Sequence, residues 1–415
     1  MRMLARALAL AGWISLPVAG FAQTRAADTT KMPEKPGNAL AETTLNSAAD
    51  TTKMPEKPGV PTLAAIMGAE GIDFNGYIDA TYTNLSGKGV FTSGVANRVF
   101  DVERNSFNLQ QVGLVVSKLP REGLGGLVNA TFGKDADVVA AYDTNPNNGT
   151  GTGTKDNFDV TQAYVHYGFK PFMLIAGKYV TLSGAEVINS TANVNVSRSI
   201  LFGYAIPFSH TGVRAIVPVN DSFSFIAGVN NGWDDLKDTN SQKTLELSAS
   251  LTPNKSFSLA AQGYFGKEQV AGPLDPAGGQ RNLIDVVATI NATEKLTFVL
   301  NADYGTQKNF TSLVDGSIIK AEWQGIAGYA NYQFHDQWRV SLRGEYFDDN
   351  DGYRTGVIQK WKEATLTLAY LPYKNVEFRA EARRDWSDVP SFVKSDGVST
   401  SDTQTSFAAQ AIFKF

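Results

Sequence analysis

No cysteine occurs in the 415 residues, which excludes disulfides and thiolate metal sites. Histidine is nearly as scarce. His166, His210 and His335 are the only three, and no two stand at metal-ligand spacing. No glycine loop of the phosphate-cradling kind opens a helix. No nucleophile stands with a recognisable base, so nothing in the sequence supports a catalytic site, a metal centre or a cofactor. Long apolar runs are missing after the N-terminus, so no membrane-spanning helix is predicted there. Charge of one sign is missing too. The formal net charge is only -4, and that mild acidity argues against nucleic acid as a partner.

What remains is an average that two very different proteins share. Hydrophobic residues make up 43% and the mean hydropathy is -0.18, as in a soluble protein. A transmembrane β-barrel has the same average, because its lipid-facing and lumen-facing residues alternate. The N-terminus favours export. Arg2 and Arg6 precede a short apolar stretch, Leu8 to Val18, and small residues around Ala22 offer a cleavage site, so residues 1–22 are expected to be a signal peptide. Its removal would take two positive charges and shift the formal charge from -4 to -6. Residues 23–70 are expected to be a flexible, disordered periplasmic linker. Within it AADTTKMPEKPG stands at 26–37 and again at 48–59, and its prolines discourage both helix and strand. Two copies are too few for a solenoid. A tether to peptidoglycan or to a partner protein is the other use of such a leader.

From residue 71 onward the period is two. Ile72, Phe74, Gly76, Ile78, Ala80 and Tyr82 share one face, while Asp73, Asn75, Tyr77, Asp79 and Thr81 share the other. Trp338, Val340, Leu342, Gly344 and Tyr346 likewise oppose Arg339, Ser341, Arg343 and Glu345. A soluble sandwich would give the same alternation, so the connections decide. Seven are short and rich in Pro, Asn, Asp and Lys, such as Pro218–Asp221 and Leu371–Asn375. Between them lie longer polar segments near 84–104, 135–156, 183–207, 231–242, 266–280, 305–320, 347–359 and 387–402. Short turns alternating with long loops mark an outer-membrane barrel. Seven hairpins and two terminal strands give about 16 strands in a closed antiparallel barrel over 71–415, with both ends periplasmic. Closure is obligatory, because an unpaired backbone group in hydrocarbon is too costly. The chain ends on alternating aromatics at Phe415, a candidate assembly signal for the barrel-assembly machinery.

Barrels of about this size leave an aqueous channel, and rings of charge set what passes. The pore-lining or constriction candidates are Lys178, Glu186, Arg198, Arg214, Arg343, Glu345, Glu377, Arg379, Glu381 and Arg383. The charges on neighbouring strands carry both signs, so mutual pairing across strands is the plainer use for them. Segment 183–207 stands out, with Glu186, Arg198 and the apolar run Ile200-Leu201-Phe202, which is odd for a solvated tip. One reading folds it inward, with Glu186 facing Arg198 across the pore. The other extends the next strand above the membrane. Asp348-Asp349-Asn350-Asp351 lacks EF-hand spacing and is read as a solvated loop.

Six stretches in order resemble the OmpL-like outer-membrane β-barrel porin family. They are Phe100–Leu109 (FDVERNSFNL), Thr161–Val165 (TQAYV), Gly177–Glu186 (GKYVTLSGAE), Ser197–Phe208 (SRSILFGYAIPF), Asn230–Asp234 (NNGWD) and Arg343–Asp349 (RGEYFDD). The resemblance covers roughly residues 72–415 and implies a pore, without naming a solute. The duplicated leader lies outside the pattern. The expected protein is a porin passing small hydrophilic solutes or ions, set among outer-membrane lipids, with a homotrimer as one arrangement left open. A structural or adhesive barrel, with its leader gripping the cell wall, is the alternative.

Overall fold

The computed structural model describes residues 70–140, 157–238, 240–268 and 278–415. The expected signal peptide and all but the last residue of the expected linker lie outside the described residues. Sixteen strands form a closed antiparallel barrel. They are β1 (Asp73–Leu85), β2 (Ser106–Lys118), β3 (Gly123–Phe132), β4 (Phe158–Phe169), β5 (Phe172–Val180), β6 (Ser209–Pro218), β7 (Phe223–Asn230) and β8 (Thr244–Asn254). The ring continues through β9 (Phe257–Glu268), β10 (Gly279–Asn291), β11 (Leu296–Thr311), β12 (Ile318–His335), β13 (Trp338–Asp349), β14 (Gln359–Tyr373), β15 (Val376–Ser387) and β16 (Thr403–Lys414). Each strand pairs with its sequence neighbours, and β1 closes the ring on β16 from Tyr77↔Lys414 to Leu85↔Ser406.

The alternation sets which way each side chain points, and burial is inverted relative to a soluble protein. On β13, Leu342 is 53% exposed while its neighbour Arg343 is 2% exposed. On β14, Leu366 and Leu368 are exposed while Thr365 and Thr367 are buried. Each leucine left in water would forgo roughly 1.5–3 kcal/mol, a loss repeated around the whole ring. Hydrocarbon outside removes that penalty, and closure leaves no strand edge in it.

Short turns join the strands at one rim, where β1 begins and β16 ends. There Gly76 N donates to Phe415 O (2.9 Å) and Phe415 N to Gly76 O (2.8 Å). The opposite rim carries eight connections, L1 (86–105), L2 (133–157), L3 (181–208), L4 (231–243), L5 (269–278), L6 (312–317), L7 (350–358) and L8 (388–402). L2, L4 and L5 are described only in part. Within L1, Gly87–Phe91 pairs with Phe392–Lys394 of L8, which also pairs with Thr400–Ser401, forming a small three-stranded sheet.

The sequence pattern misjudged L6. A loop is expected over 305–320, but β11 runs on to Thr311 and β12 begins at Ile318. The polar run Gly305-Thr306-Gln307 reads as loop chemistry, yet it pairs with Trp323, Glu322 and Ala321. Gly305 is needed because the Trp323 indole lies over it, where a Cβ would collide with the ring. Gly305→Ala is therefore expected to cost about 1–3 kcal/mol by overpacking. The measurement is the temperature at which the barrel loses its compact electrophoretic mobility, and an unchanged midpoint would contradict this contact.

Candidate functional site

L3 begins after β5 and returns at β6, but most of its partners are on other walls. At its start Leu182 N donates to Tyr264 Oη (2.9 Å, β9), Gly184 N to Asp285 Oδ1 (3.1 Å, β10) and Ala185 N to Asn301 Oδ1 (3.0 Å, β11). Farther on, Ser190 N donates to Gln111 Oε1 (3.0 Å, β2). Val196 N and Ser197 N then donate to the two carboxylate oxygens of Glu381 (2.6 and 2.9 Å, β15). Ile200 N and Leu201 N do the same to Glu345 (2.9 and 3.1 Å, β13). In a ring of sixteen, β13 lies opposite β5, so the segment reaches the far wall of the lumen.

Local chemistry shapes the segment for this path. Asn189 accepts from Thr191 N (2.9 Å) and caps the short turn Ser190–Ala192. Asn193 accepts from Val187 N (2.9 Å) and donates back to Val187 O (2.7 Å), closing the tip on itself. The apolar run then has an explanation. Ile200, Leu201 and Phe202 are buried in one cluster with the inward-facing Leu283, Val287, Val299, Ala327, Tyr329 and Phe347. Burying three such side chains is worth roughly 5–9 kcal/mol at most. The run is neither a solvated tip nor an extension of the next strand; Ser209 opens β6 only after it.

The wall charges form a connected array with Arg343 at its centre. Its guanidinium donates to Glu363 (2.9 Å), Glu186 (2.7 Å) and Ser197 O (2.8 Å), and lies 3.3 Å from Glu345. Arg383 pairs with Asp385 (2.7 Å), approaches Glu363 (3.5 Å) and donates to Arg198 O (2.8 Å). Arg379 and Arg339 share Glu377 (2.7 and 2.6 Å), and Arg379 also holds Ser190 O (3.3 Å) and Asn195 O (3.2 Å). Carboxylates on the wall thus take the N–H groups of L3, and guanidinium groups take its carbonyls.

Glu186 and Arg198 differ from the arrangement expected of them. Glu186 accepts from Arg343 and from Ser199 N (2.7 Å). Arg198 is spent on the carbonyls of Val187 (3.2 Å) and Ile188 (2.8 Å), with its guanidinium 5.0 Å from the Phe100 ring centre. Arg343 offers Glu186 a buried, oriented partner, while the bend of L3 turns Arg198 back on its own backbone. Lys178 and Arg214 stand apart from this array. Lys178 pairs with Asp159 (2.9 Å), and Arg214 pairs with Glu246 (2.6 Å) while lying 4.0 Å over the Tyr179 ring.

Glu363, Asp285, Asn301 and Gln111 belong to the same network and were not singled out from the sequence. Glu363 carries the signal: it lies on the face of β14 opposite Leu366 and Leu368. The three histidines stay apart. His335 ends β12 at the turn rim, His166 is buried on β4, and His210 stacks on Tyr264 (4.5 Å) with Nδ1 2.9 Å from Gly232 O. The acidic run after Tyr346 ends β13 and opens L7: Asp349 accepts from Arg354 N and Thr355 N of L7, and Asp351 accepts from Glu322 N of β12.

L2 contributes a buried acid, Asp135, whose carboxylate accepts from Gln110 Nε2 and whose backbone N–H donates to Gln110 O (3.0 Å). Burial pushes its carboxyl up from 3.8 to about 7, against the pull of Arg198. Between those values the folded protein keeps a proton that the unfolded chain has lost, so stability falls as the pH rises from about 4 to about 7. The full difference is about 4 kcal/mol. Asp135→Asn is expected to flatten this part of a stability–pH curve, and an unaltered slope would refute it.

Sixteen strands, apolar outside and charge-lined inside, define the class of outer-membrane porins. The sequence from 71 to 415 matches the family model described as "Putative beta-barrel porin-2, OmpL-like", and the chain belongs to that family of β-barrel porins. It is an outer-membrane protein, and its function is that of a porin channel. Three solved structures share the fold at low identity. The outer-membrane channel DcaP of Acinetobacter baumannii is 14% identical with a TM-score of 0.57, covering 83% of this chain and 97% of that one. An anion-selective porin from Comamonas acidovorans is 11% identical with a TM-score of 0.56, covering 83% and 99%. Pseudomonas putida OprB, in a high-pH structure, is 12% identical with a TM-score of 0.56, covering 84% and 96%. No curated protein matches the sequence significantly.

Proposed function

We propose that this porin passes small hydrophilic solutes or ions by passive diffusion through a water-filled lumen, with L3 setting the narrowest part. The single observation that carries this reading is the binding of residues 196–201 to Glu345 and Glu381 on the far wall. In this reading Glu186, Arg198, Arg343, Glu345, Glu377, Arg379, Glu381 and Arg383 line the constriction, while Lys178 and Arg214 line the wall beside it. The interleaved signs favour sorting by charge over a purely steric sieve. The rim with short turns and both barrel ends faces the periplasm, as the usual design of such barrels supports. Phe415, paired with Gly76 at that rim, serves the assembly machinery as its aromatic signal. Lipids cover the outside, and a homotrimer is the assembly we favour.

The test is planar-bilayer conductance with reversal potentials in a salt gradient, joined to liposome swelling with sugars of graded size. Stepwise currents and uptake of the smallest sugars support the diffusion reading. No current and no uptake would favour a structural or adhesive barrel.

A further inference from the structure

A pocket of about 250 Å³ lies where the wall of β15 and β16 meets the small sheet of L1 and L8. Two cations line it, Arg384 of β15 and Lys394 of L8, together with the hydroxyls of Ser86, Ser401, Thr403 and Thr405. No carboxylate is among the described residues that line it. Arg383 and Asp385 are buried in the lumen, so Arg384 between them points outward. Its Nη1 donates to Thr405 Oγ1 (2.7 Å), and its other N–H groups have no partner among the described residues. Asp396, the acid two residues after Lys394, is committed to its own turn and accepts from Val398 N and Ser399 N (both 2.9 Å). Two of the hydroxyls already act as acceptors, Ser86 Oγ from Thr405 N (2.9 Å) and Thr405 Oγ1 from Arg384. Their own protons remain to be donated.

The strand register fixes the height of this pocket on the wall. Ser86, Thr405, Arg384 and Ala364 form one outward row. The next row toward the short turns holds Phe407 and Leu366, both apolar and exposed. The next row toward the loops holds Trp386 and Lys362, with Lys362 Nζ 5.9 Å from the Tyr346 ring centre. Aromatic side chains at the edge of an apolar band mark the level of lipid headgroups. Cations at this edge are a cost unless an anion meets them. A guanidinium presents a planar fork that matches phosphate, and an ammonium adds a point charge. We propose that this pocket binds a phosphate group of a phosphorylated glycolipid of the outer leaflet. Arg384 and Lys394 hold the phosphate, Lys362 adds charge beside them, and the Ser86 and Thr405 hydroxyls donate to its oxygens. Occupancy ties L8 to the wall, because Lys394 belongs to the loop sheet and Arg384 to the barrel. The choice of lipid rests on the orientation proposed above, in which the loop rim faces outward.

The experiment titrates the full chain, in lipid-free detergent micelles, with lipid A and reads bound lipid by native mass spectrometry. Dephosphorylated lipid A, phosphatidylglycerol and inorganic phosphate are the comparison ligands. The expected result is saturable binding of one lipid A per barrel, with the dephosphorylated form at least about tenfold weaker. Arg384→Ala/Lys394→Ala lowers the affinity for lipid A by a similar factor, while Lys295→Ala at the short-turn rim leaves it unchanged. Both variants keep the heat-modifiable mobility of the folded barrel. Binding that ignores the phosphates, or a double variant that binds as well as the wild type, overturns the proposal. Equal binding of phosphatidylglycerol, or displacement of lipid A by an equal concentration of inorganic phosphate, overturns the choice of ligand. Orientation is tested separately. The chain has no cysteine, so Val398→Cys, at an exposed position of L8, is expected to react with a membrane-impermeant maleimide on intact cells. No labelling overturns the orientation and with it the outer-leaflet lipid. Conductance is independent of all these readouts, so a barrel that binds lipid A and passes no current refutes the diffusion reading alone.

Discussion

An Arg343→Ala barrel is expected to be the least stable of the single variants in the lumen. The guanidinium is fully buried and serves Glu186, Glu363, Glu345 and both oxygens of Ser197. Its removal leaves Glu186 and Glu345 without a guanidinium partner, and Glu363 with only Arg383 at 3.5 Å. Breaking a buried pair in this way costs about 3–5 kcal/mol, because the remaining charge stays desolvated. Here the orphaned charges are several, so the upper end of that range is the fair expectation. Arg343→Lys should recover only part of the loss, since one ammonium cannot reproduce a planar fork that serves wall and loop together. The measurement is the thermal midpoint of the electrophoretic mobility shift, with single-channel noise recorded alongside. An unchanged midpoint for Arg343→Ala would mean that the array does not hold L3.

Most of the barrel was legible because its signal is local. Alternation at Trp338–Tyr346 fixes which side chains point outward, and turn chemistry at Pro218–Asp221 or Leu371–Asn375 places the hairpins. Where an inward position carries loop-like residues, the local signal misleads, as at Gly305-Thr306-Gln307, which pair in the ladder. The site was legible in its parts and not in its pairings. Glu186 and Arg343 are 157 residues apart, and nothing in either neighbourhood names the other. Only the ring of strands brings them together, and that is also why Glu186 turns to Arg343 and leaves Arg198 to the carbonyls of L3. The run Ile200-Leu201-Phe202 was conspicuous for the right reason, its apolarity. Its partners were hidden, because Val287 and Val299 occupy inward positions otherwise held by Asp285, Thr289, Asn301 and Asp303.

The variant Glu345→Ala/Glu381→Ala tests the channel more directly than it tests stability. These two carboxylates take four consecutive-pair N–H groups of L3, at Val196, Ser197, Ile200 and Leu201. A buried N–H left without an acceptor costs about 1–3 kcal/mol. L3, however, can avoid that penalty by leaving the wall and turning those groups to water. Its two ends stay fixed, by Leu182, Gly184 and Ala185 on β9–β11 and by Phe202 in the apolar cluster. The release therefore concentrates on residues 190–199. The expected single-channel record shows a larger mean conductance with frequent flicker, and weaker ion preference as Arg198 moves away from the wall, while Glu186 stays on Arg343. The thermal midpoint falls less than in Arg343→Ala, because no desolvated guanidinium is left stranded: Arg343 keeps Glu363 and Arg383 keeps Asp385. Glu381→Gln provides the intermediate case, since its amide retains one acceptor oxygen for two donors. A double variant with wild-type conductance and wild-type noise would place the narrowest part of the channel away from L3, whatever its effect on stability.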